Sequence, residues 1–369
     1  MSEDKLDYKR AGVDYSRLDP LKVMAQQAAR DTARHLLNAG FQEVAASRGE
    51  SAYVIDMGDF YLASITECLG TKSLVADAMR EIGGRTYYDQ IAQDTIAAAA
   101  NDLATVGARP LSIHAYWAVG GSEWFDDERR MRDLVQGWKA TCDALGAAWG
   151  GGETPSLAGI VQSGTIDLAA SCVGIIRPKE HLVLGEALRP GDAIVLLASS
   201  GIHANGLTLA RKLAERLPQG YATPLPEGRL YGEALLDATT LYSPVVQALL
   251  AAGIDIHYMA NITGHGWRKI MRHPAAFTYR IASLPPVPPV LRFLAQQAGL
   301  GPDEAYGTLN MGAGYALFLA AEDAQRAIEI SQAQSVPAYL AGRVESGPRR
   351  VLIEPLNVLY DAASLDLRG

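Results

Sequence analysis

The sequence is poor in cysteine, and its few cysteines are not arranged for a metal or a disulfide framework. Only Cys68, Cys142 and Cys172 occur in 369 residues, and no two of them have the short spacing of zinc ligands. Secreted domains that depend on disulfides carry many more. We therefore predict three buried thiols in a protein of the reducing cytoplasm.

Positive charge is also scarce. Lys and Arg total 33 against 41 Asp and Glu, which gives a net charge of −8 and a pI near 5.4. A nucleic-acid surface needs a basic face that displaces counterions, so nucleic acid is not expected as a partner. Any phosphate group must instead be bound by a few local side chains.

Long apolar runs are missing as well. No run approaches the length of a membrane span, and the N-terminal stretch MSEDKLDYKRAGVDYS is polar and charged. This pattern predicts neither a signal peptide nor a membrane anchor. The Walker A pattern is absent throughout, so any nucleotide site is not a P-loop.

What is present is the composition of a globular chain, with 49% hydrophobic residues, 20% charged residues and 36 glycines. A chain of 369 residues is large enough for two domains, each with its own core. A clean strand pattern over Ile166–Ile176 is broken by the charges and the proline of residues 177–180. We place the domain boundary there, which predicts an N-terminal domain of residues 1–177 and a C-terminal domain of residues 178–369.

The stretch from residue 64 to residue 102 combines a lysine on a glycine turn with several acidic residues. An apolar run at 61–65 predicts a strand, and the LGTK turn that follows would present Lys72 to a bound anion. Asp94 and Asn101 are seven residues apart in a helical pattern, so they share one face. The alternative is a helix N-terminus with acidic residues and a solvated lysine.

Carboxylates grouped in this way suit Mg²⁺, which is usually held by one or two carboxylates together with substrate phosphates. The predicted magnesium ligands, some of them acting through water, are Glu67, Asp89, Asp94 and Asp102.

Two glycine-containing loops are further candidates for ligand binding. Three successive glycines precede Glu153 and Thr154, and they allow backbone to approach a ligand closely; a plain tight turn explains the glycines equally well, but not the Glu-Thr pair. A buried strand at 193–198 leads into a Ser/Gly-rich loop at 199–206 and a helix from 207 to about 217. Free N–H groups and hydroxyls at such a helix start favour an anion site beside His203; the alternative is a capped helix with a surface histidine. A long helix is predicted from 232 to about 252, and turns near 262 and 310 are placed to line a cleft.

Taken in order, these segments resemble the aminoimidazole ribonucleotide (AIR) synthetase family, also called phosphoribosylformylglycinamidine cyclo-ligase. The resemblance covers nearly all of the chain and includes Asp89, Asp94, Asn101 and Asp102. The other matching segments are YKRAGVD at 8–14, LGTK at 69–72, GARPL at 107–111, GGET at 151–154, PGDAIVLLASSGIHANGLTLARK at 190–212, ITG at 262–264 and TLNMGAG at 308–314.

The resemblance implies an α/β (α+β) chain of two domains. The N-terminal domain would pair its sheet with that of a second copy in a homodimer, burying strands such as residues 111–119, and the C-terminal domain would be an α/β sandwich. The implied activity is the ATP- and Mg²⁺-dependent cyclisation of formylglycinamidine ribonucleotide to aminoimidazole ribonucleotide, via an iminophosphate, in purine biosynthesis. The ribonucleotide is then the small-molecule partner.

The implied site residues fall into three groups. Those expected to bind ATP are Lys9, Thr71, Lys72, Asn101, Gly151, Gly152, Glu153 and Thr154. Those expected to bind the substrate are Ser199, Ser200, Gly201, His203, Asn205 and Asn310. The catalytic set is Lys72, Asp94 and His203, with His203 either acting as an acid or base near neutral pH or holding the polar edge of the substrate.

Departures from the family pattern lie mostly on the substrate side. Glu67 stands in TECLGTK where the family usually has the aspartate of TDGVGTK, which keeps the carboxylate with one more methylene. Ala115 falls where an aspartate is often found, Thr240 falls where an arginine is common, and His265 interrupts the usual triple glycine.

These departures leave two alternatives beside the cyclo-ligase. One is a related ATP-dependent phosphotransferase or synthetase that acts on another small molecule, and the other is a non-catalytic nucleotide-binding protein of the same fold. The retention of Lys72, Asp94, Glu153 and His203 favours an enzyme over the non-catalytic alternative.

Overall fold

A computed structural model describes residues 15–365 of the protein, which form two mixed β-sheets with helices packed on them. The strands in chain order are β1 (Gln42–Glu43), β2 (Tyr53–Asp56), β3 (Tyr61–Cys68), β4 (Arg109–Val119), β5 (Ala148–Glu153), β6 (Ile166–Ile176), β7 (Ala193–Ala198), β8 (Ile256–Asn261), β9 (Phe277–Ile281), β10 (Ala313–Leu319), β11 (Ala338–Ser346), β12 (Arg350–Ile353) and β13 (Val358–Asp361).

The α-helices of this described range are α1 (Tyr15–Arg30), α2 (Arg34–Asn38), α3 (Lys72–Gly83), α4 (Tyr88–Ala104), α5 (Glu128–Leu145), α6 (Leu207–Ala214), α7 (Tyr231–Leu235), α8 (Ser243–Ala251), α9 (Pro289–Ala298), α10 (Pro302–Thr308) and α11 (Ala324–Ala333). No helix among residues 15–365 combines the length and the apolar composition that crossing a bilayer requires.

The first domain, which we define as residues 15–176, contains a sheet of order β1-β2-β3-β6-β4-β5. All of its strand pairs are antiparallel except β4 with β5. Residues of β6 alternate in burial, because one face of the strand lies under the alanine-rich helix α4. The opposite face, which includes Val173 and Ile175, is only partly buried. Helices therefore cover one face of this sheet.

The second domain, residues 193–365, contains a sheet of order β13-β12-β9-β11-β7-β10-β8. Its interior strand β7 is buried on both faces: Ile194 and Leu196 belong to the core that includes Leu209 of α6, whereas Val195 and Leu197 face the core of α8 and α11. A sheet with helices on both faces buries near-continuous apolar strands of this kind. The two-domain α+β architecture is thus confirmed, and the predicted boundary after residue 177 falls in the connection between the two sheets.

The predicted long helix over 232–252 is wrong. The structure has two short helices, α7 and α8, with residues 236–242 running between them. Pro244 lies in the first turn of α8, where its missing N–H costs nothing. The intervening segment uses its backbone groups to bind α4 of the first domain, so these groups are not available for a continuous helix.

One further expectation, on the cysteines, needs correction. Cys142 and Cys172 are buried free thiols as predicted, but Cys68 is exposed at the end of β3. The C-terminal tail, which shows no clear periodicity after residue 354, forms the additional strand β13 against β12. A strand of four residues at a sheet edge is too short for its alternation to be recognised in sequence.

Candidate active site

Helix α4 carries a polar face that binds the second domain. The Gln93 side-chain amide donates to the carbonyl of Thr239 at 2.8 Å. The Asn101 amide donates to the carbonyl of Thr240 at 2.8 Å, and its oxygen accepts from the N–H of Tyr242 at 2.8 Å. Asp94 and Asn101 therefore do share a face, as their spacing predicts, but this face contacts residues 237–242 of the same chain.

The centre of this contact is a buried ion pair between Lys72 and Asp94. Lys72 Nζ lies 2.7 Å from Asp94 Oδ2, and both side chains are fully buried. Lys72 also donates to the carbonyl of Asp237 at 2.9 Å, while Asp94 Oδ1 accepts from the N–H of Thr239 at 2.7 Å and from its hydroxyl. Burial raises the pKa of Asp94, and the contacts with Lys72 and Thr239 act in the opposite direction.

This geometry corrects two expectations for the LGTK turn and the helix after it. Lys72 is the first residue of α3 and points into the protein, so it is not presented to a bound anion. Asp94 uses its carboxylate within the ion pair and is not presented to a metal ion. Both side chains hold the segment around Thr239.

A cavity of about 350 Å³ lies between the two domains. The first domain contributes residues from α1, the segment 49–51, the end of β3 and α4, and the second domain contributes residues from three loops and the following 3₁₀ turn. The residues that line it are Gln26, Gly49, Glu50, Ser51, Glu67, Cys68, Ala97, Ala98, Asn101, Asp102, His203, Ala204, Asn205, Thr239, Asn261, Thr263, Gly264, His265, Lys269 and Arg272. A polar cavity between domains is a common form of small-molecule site.

The four predicted magnesium ligands do not come together. Glu67 and Asp102 line the cavity, and Asp102 Oδ1 accepts from Asn261 Nδ2 at 2.7 Å. Asp89 is half-exposed and pairs with Arg85 at 3.3 Å, away from the cavity. Within residues 15–365 no three His, Cys, Asp or Glu side chains form a metal-binding group. Glu67 and Asp102 are too few to hold Mg²⁺ by themselves. They fit a Mg²⁺ ion whose remaining ligands are the phosphate oxygens of a bound nucleotide and water.

Most of the residues expected to bind ATP do not line the cavity. Asn101 lines the cavity. Thr71, which immediately precedes α3, does not line it. The GGET segment, residues 151–154, lies at the exposed edge strand β5, where Glu153 Oε1 accepts from the N–H of Thr154 at 3.2 Å. Lys9 lies outside the described residues.

The Ser/Gly-rich loop after β7 is held by hydrogen bonds to two other loops of the second domain. The Ser199 hydroxyl donates to Asn310 Oδ1 at 2.8 Å, and the Asn310 amide donates to the carbonyl of Gly201 at 2.8 Å. The Ser200 hydroxyl donates to the carbonyl of Ala238 at 2.6 Å. The serine hydroxyls are thus used to shape the loop, and of the predicted substrate-binding residues only His203 and Asn205 line the cavity.

His203 is held as a neutral imidazole. Its Nε2 accepts a hydrogen bond from the N–H of Ser200 at 3.2 Å, which leaves the ring proton on Nδ1. Burial, with a smaller contribution from the charge of Lys72, lowers the pKa of His203 to about 3. An acid–base role near neutral pH does not fit this environment, because the ring remains unprotonated and its basic nitrogen is engaged. The alternative role, holding the polar edge of a substrate, does fit.

The turn near residue 262, which was expected to line a cleft, does line the cavity with Thr263, Gly264 and His265, whereas the turn near residue 310 does not. The sequence patterns did not single out His265 or Lys269 as ligand-binding residues, nor most of the other residues of the cavity wall. His265 has a left-handed backbone (φ +69°), and the signal for it was its place within a glycine-rich loop. Lys269 lies in the 3₁₀ turn Gly266–Met271 and donates to the hydroxyl of Thr263. No periodic pattern marks a turn this short, so the sequence gave no signal for Lys269.

Two α+β domains with a polar cavity between them define a class of small-molecule enzyme in which the site is built from both halves of the chain. The comparisons with known proteins identify the family. Residues 49–176 match the family model "AIR synthase related protein, N-terminal domain", and residues 189–354 match "AIR synthase related protein, C-terminal domain". The chain belongs to the AIR synthase related family.

Several relatives of similar length carry the same name. The chain is 32% identical over 358 residues to phosphoribosylformylglycinamidine cyclo-ligase of Rippkaea orientalis, covering 95% of this chain and 99% of that protein. It is 31% identical over 341 residues to the enzyme of that name from Methanococcus maripaludis, covering 92% of each, and 33% identical over 325 residues to that of Pyrococcus furiosus, covering 88% and 91%.

Solved structures share the fold at lower identity. Hydrogenase maturation protein HypE in complex with ATP superposes with a TM-score of 0.58 at 18% identity, covering 83% of this chain and 85% of that one. A ThiL protein complexed with AMPPCP and TMP gives a TM-score of 0.56 at 16% identity, covering 82% and 86%. These likenesses concern the fold alone.

The buried ion pair generates a stability prediction. Asp94→Asn leaves the Lys72 ammonium buried without its counter-charge, so we expect a loss of about 3–5 kcal/mol in the free energy of unfolding. The measurement is the urea midpoint with its slope. As a control, Asp143→Asn removes one partner of the exposed Lys139 pair and should leave the midpoint nearly unchanged. Equal midpoints for Asp94→Asn and Asp143→Asn would contradict the structural role of the pair.

Proposed function

We propose that the protein is an ATP-dependent cyclo-ligase that converts formylglycinamidine ribonucleotide to aminoimidazole ribonucleotide. The observation that carries the proposal is its similarity, at 31–33% identity over about nine-tenths of its length, to relatives with that name. The polar cavity between the domains supports it, because the reaction needs two phosphate-bearing ligands to meet in one site. The reducing compartment that the cysteine usage predicts, the cytoplasm, is where we propose that it acts.

In the proposed reaction the formyl amide oxygen of the substrate takes the γ-phosphoryl group of ATP, and ADP leaves. The amidine nitrogen then attacks the activated carbon, the C–O bond breaks, and inorganic phosphate and a proton are released. Such chemistry depends chiefly on positioning and on charge neutralisation. Magnesium would supply part of that neutralisation, and Glu67 and Asp102 are the carboxylates that would hold it.

His203 has a positioning part in this proposal. Its Nδ1–H is the donor that remains after Nε2 accepts from Ser200, so the ring offers a neutral donor to a carbonyl or hydroxyl of the substrate. A neutral ring at the cavity wall orients the ribonucleotide without adding charge. Asn101 and Asn205 provide further amide groups at the same cavity.

The second candidate is the related phosphotransferase or synthetase with another small substrate. It is favoured by the departures at Ala115, Thr240 and His265, and His265 lies in the cavity itself. The same ATP chemistry would then act on a different acceptor.

Turnover distinguishes the two candidates. Purified protein with ATP, Mg²⁺ and formylglycinamidine ribonucleotide should form aminoimidazole ribonucleotide and ADP in equal amounts. Asp102→Asn should lower the rate by about 10²-fold or more, because it removes a carboxylate that would hold the Mg²⁺ ion that neutralises the phosphate charge. Asp143→Asn on the exposed surface of α5 should leave it unchanged. If the protein binds ATP but forms no aminoimidazole ribonucleotide, the cyclo-ligase assignment fails and the second candidate is favoured.

A homodimer is the second part of the proposal. The partly buried face of the first sheet, with Val173 and Ile175, and the exposed Leu21 and Met24 of α1, each 61% exposed, offer apolar surface for a second copy.

Sedimentation at micromolar concentration tests the dimer. We expect a dimer for the native protein and a monomer for Val173→Asp, because a charge at the centre of the paired face would be buried without a partner. Val135→Asp on the exposed side of α5 is the matched control and should remain dimeric. A native protein that sediments as a monomer would refute the proposal.

A further inference from the structure

The two walls of the interdomain cavity carry opposite charge. The first domain contributes the carboxylates Glu50, Glu67 and Asp102. The second domain contributes the Lys269 ammonium, the His265 imidazole and the Arg272 guanidinium, whose Nε lies 3.6 Å from Glu50. Such a cavity favours one orientation of a ligand with two unlike ends. The anionic end faces the basic wall, and the cationic or metal-bound end faces the acidic wall.

Lys269 is fixed at the basic wall. Its side chain is largely buried, with the residue 8% exposed, and Nζ donates to the hydroxyl of Thr263. Its position follows from the 3₁₀ turn Gly266–Met271, which packs against α10. A buried ammonium held in place loses little side-chain entropy when it binds an anion, so its contribution to affinity is large.

His265 occupies a backbone conformation that glycine adopts at no cost. Its φ of +69° is in the left-handed region, which disfavours a residue with a Cβ. The turn is held closed by the hydrogen bond from the N–H of Gly266 to the carbonyl of Thr263 at 3.0 Å. Gly266 cannot carry a side chain, because a Cβ there would lie 2.2 Å from the carbonyl oxygen of Tyr306. The chain thus accepts strain at His265 and places an imidazole at the cavity.

The expected phosphate site of the second domain is already occupied by internal bonds. The hydroxyls of Ser199 and Ser200 bind Asn310 and Ala238, and the N–H of Ser200 binds His203. A phosphate group in the cavity therefore needs donors from another part of the wall.

We infer that His265 and Lys269 form a phosphate subsite on the second-domain wall of the cavity. The inference rests on the proposed function for the identity of its ligands, which are the 5′-phosphate of the ribonucleotide and the triphosphate of ATP. Both present the same chemistry to an ammonium and an imidazole N–H. The acidic wall of Glu67 and Asp102 then faces the amidine group or the metal-bound end of the ligand.

Direct binding to the intact protein tests the subsite without turnover. Calorimetry with ribose 5-phosphate and with a non-hydrolysable ATP analogue plus Mg²⁺ would be carried out on the native protein, Lys269→Gln, His265→Gly and Lys139→Gln. We expect Lys269→Gln to weaken binding of at least one of these ligands by about tenfold or more, since it removes a charge-assisted hydrogen bond. His265→Gly should weaken the same ligand, and Lys139→Gln, which removes a lysine from the exposed surface of α5, should not.

Thermal unfolding separates the subsite from a merely structural role. His265→Gly should keep or raise the Tm, because glycine relieves the left-handed backbone, while affinity falls. A loss confined to ribose 5-phosphate identifies the ribonucleotide as the ligand of the subsite, and a loss confined to the ATP analogue identifies ATP. Unchanged affinity in both variants, or no binding of either ligand to the native protein, would overturn the inference.

The binding experiment on the subsite and the turnover experiment on the cyclo-ligase can fail separately. Weakened phosphate binding in Lys269→Gln together with an absence of aminoimidazole ribonucleotide formation would retain the subsite and refute the proposed substrate. Product formation with an unchanged KM for both substrates in Lys269→Gln would retain the cyclo-ligase and refute the subsite.

Discussion

The buried ion pair between Lys72 and Asp94 is the contact on which the interdomain cavity depends. Two charges removed from water are stable only when their hydrogen-bonding capacity is satisfied, and here the backbone of residues 237 and 239 supplies the additional partners. The pair is therefore complete only when the second domain is docked on α3 and α4. An apolar pair of the same volume could supply comparable stability. It would not require the backbone groups of residues 237 and 239 to lie at these two positions, as the ion pair does.

The same helix α4 both docks the second domain and lines the cavity. Gln93 and Asp94 bind the segment around Thr239, Asn101 binds that segment and also reaches the cavity, and Asp102 lines the cavity beside Asn261. The small residues Ala97 and Ala98 lie between these groups at the cavity wall and leave room for a ligand. A displacement of α4 would thus change the domain contact and the shape of the cavity together.

Local patterns were sufficient to predict several of the strands and helices, but not the contacts between distant segments. The strand Ile166–Ile176 was predictable because alternating burial matches its sequence, and β7 because its residues are continuously apolar. The break at residues 236–242 was not, since the partners of its backbone are side chains of α4 more than a hundred residues away. For the same reason the spacing of Asp94 and Asn101 was interpreted correctly as one helix face and incorrectly as a metal site. The pattern identifies which residues share a face, but it does not identify what that face contacts.

Helix α4 holds residues 237–242 and so fixes the shape of the cavity. Residue-resolved hydrogen exchange of the Thr239 amide measures this contact directly, because this N–H donates to Asp94 Oδ1 at 2.7 Å. We expect the Thr239 amide to be strongly protected from exchange in the native protein. In Asp94→Asn its protection should fall by more than that of Val246, whose N–H is bonded within α8 to the carbonyl of Tyr242 at 3.0 Å. A Thr239 amide that exchanges freely in the native protein, or that loses no more protection than Val246 in the variant, would contradict this role of α4.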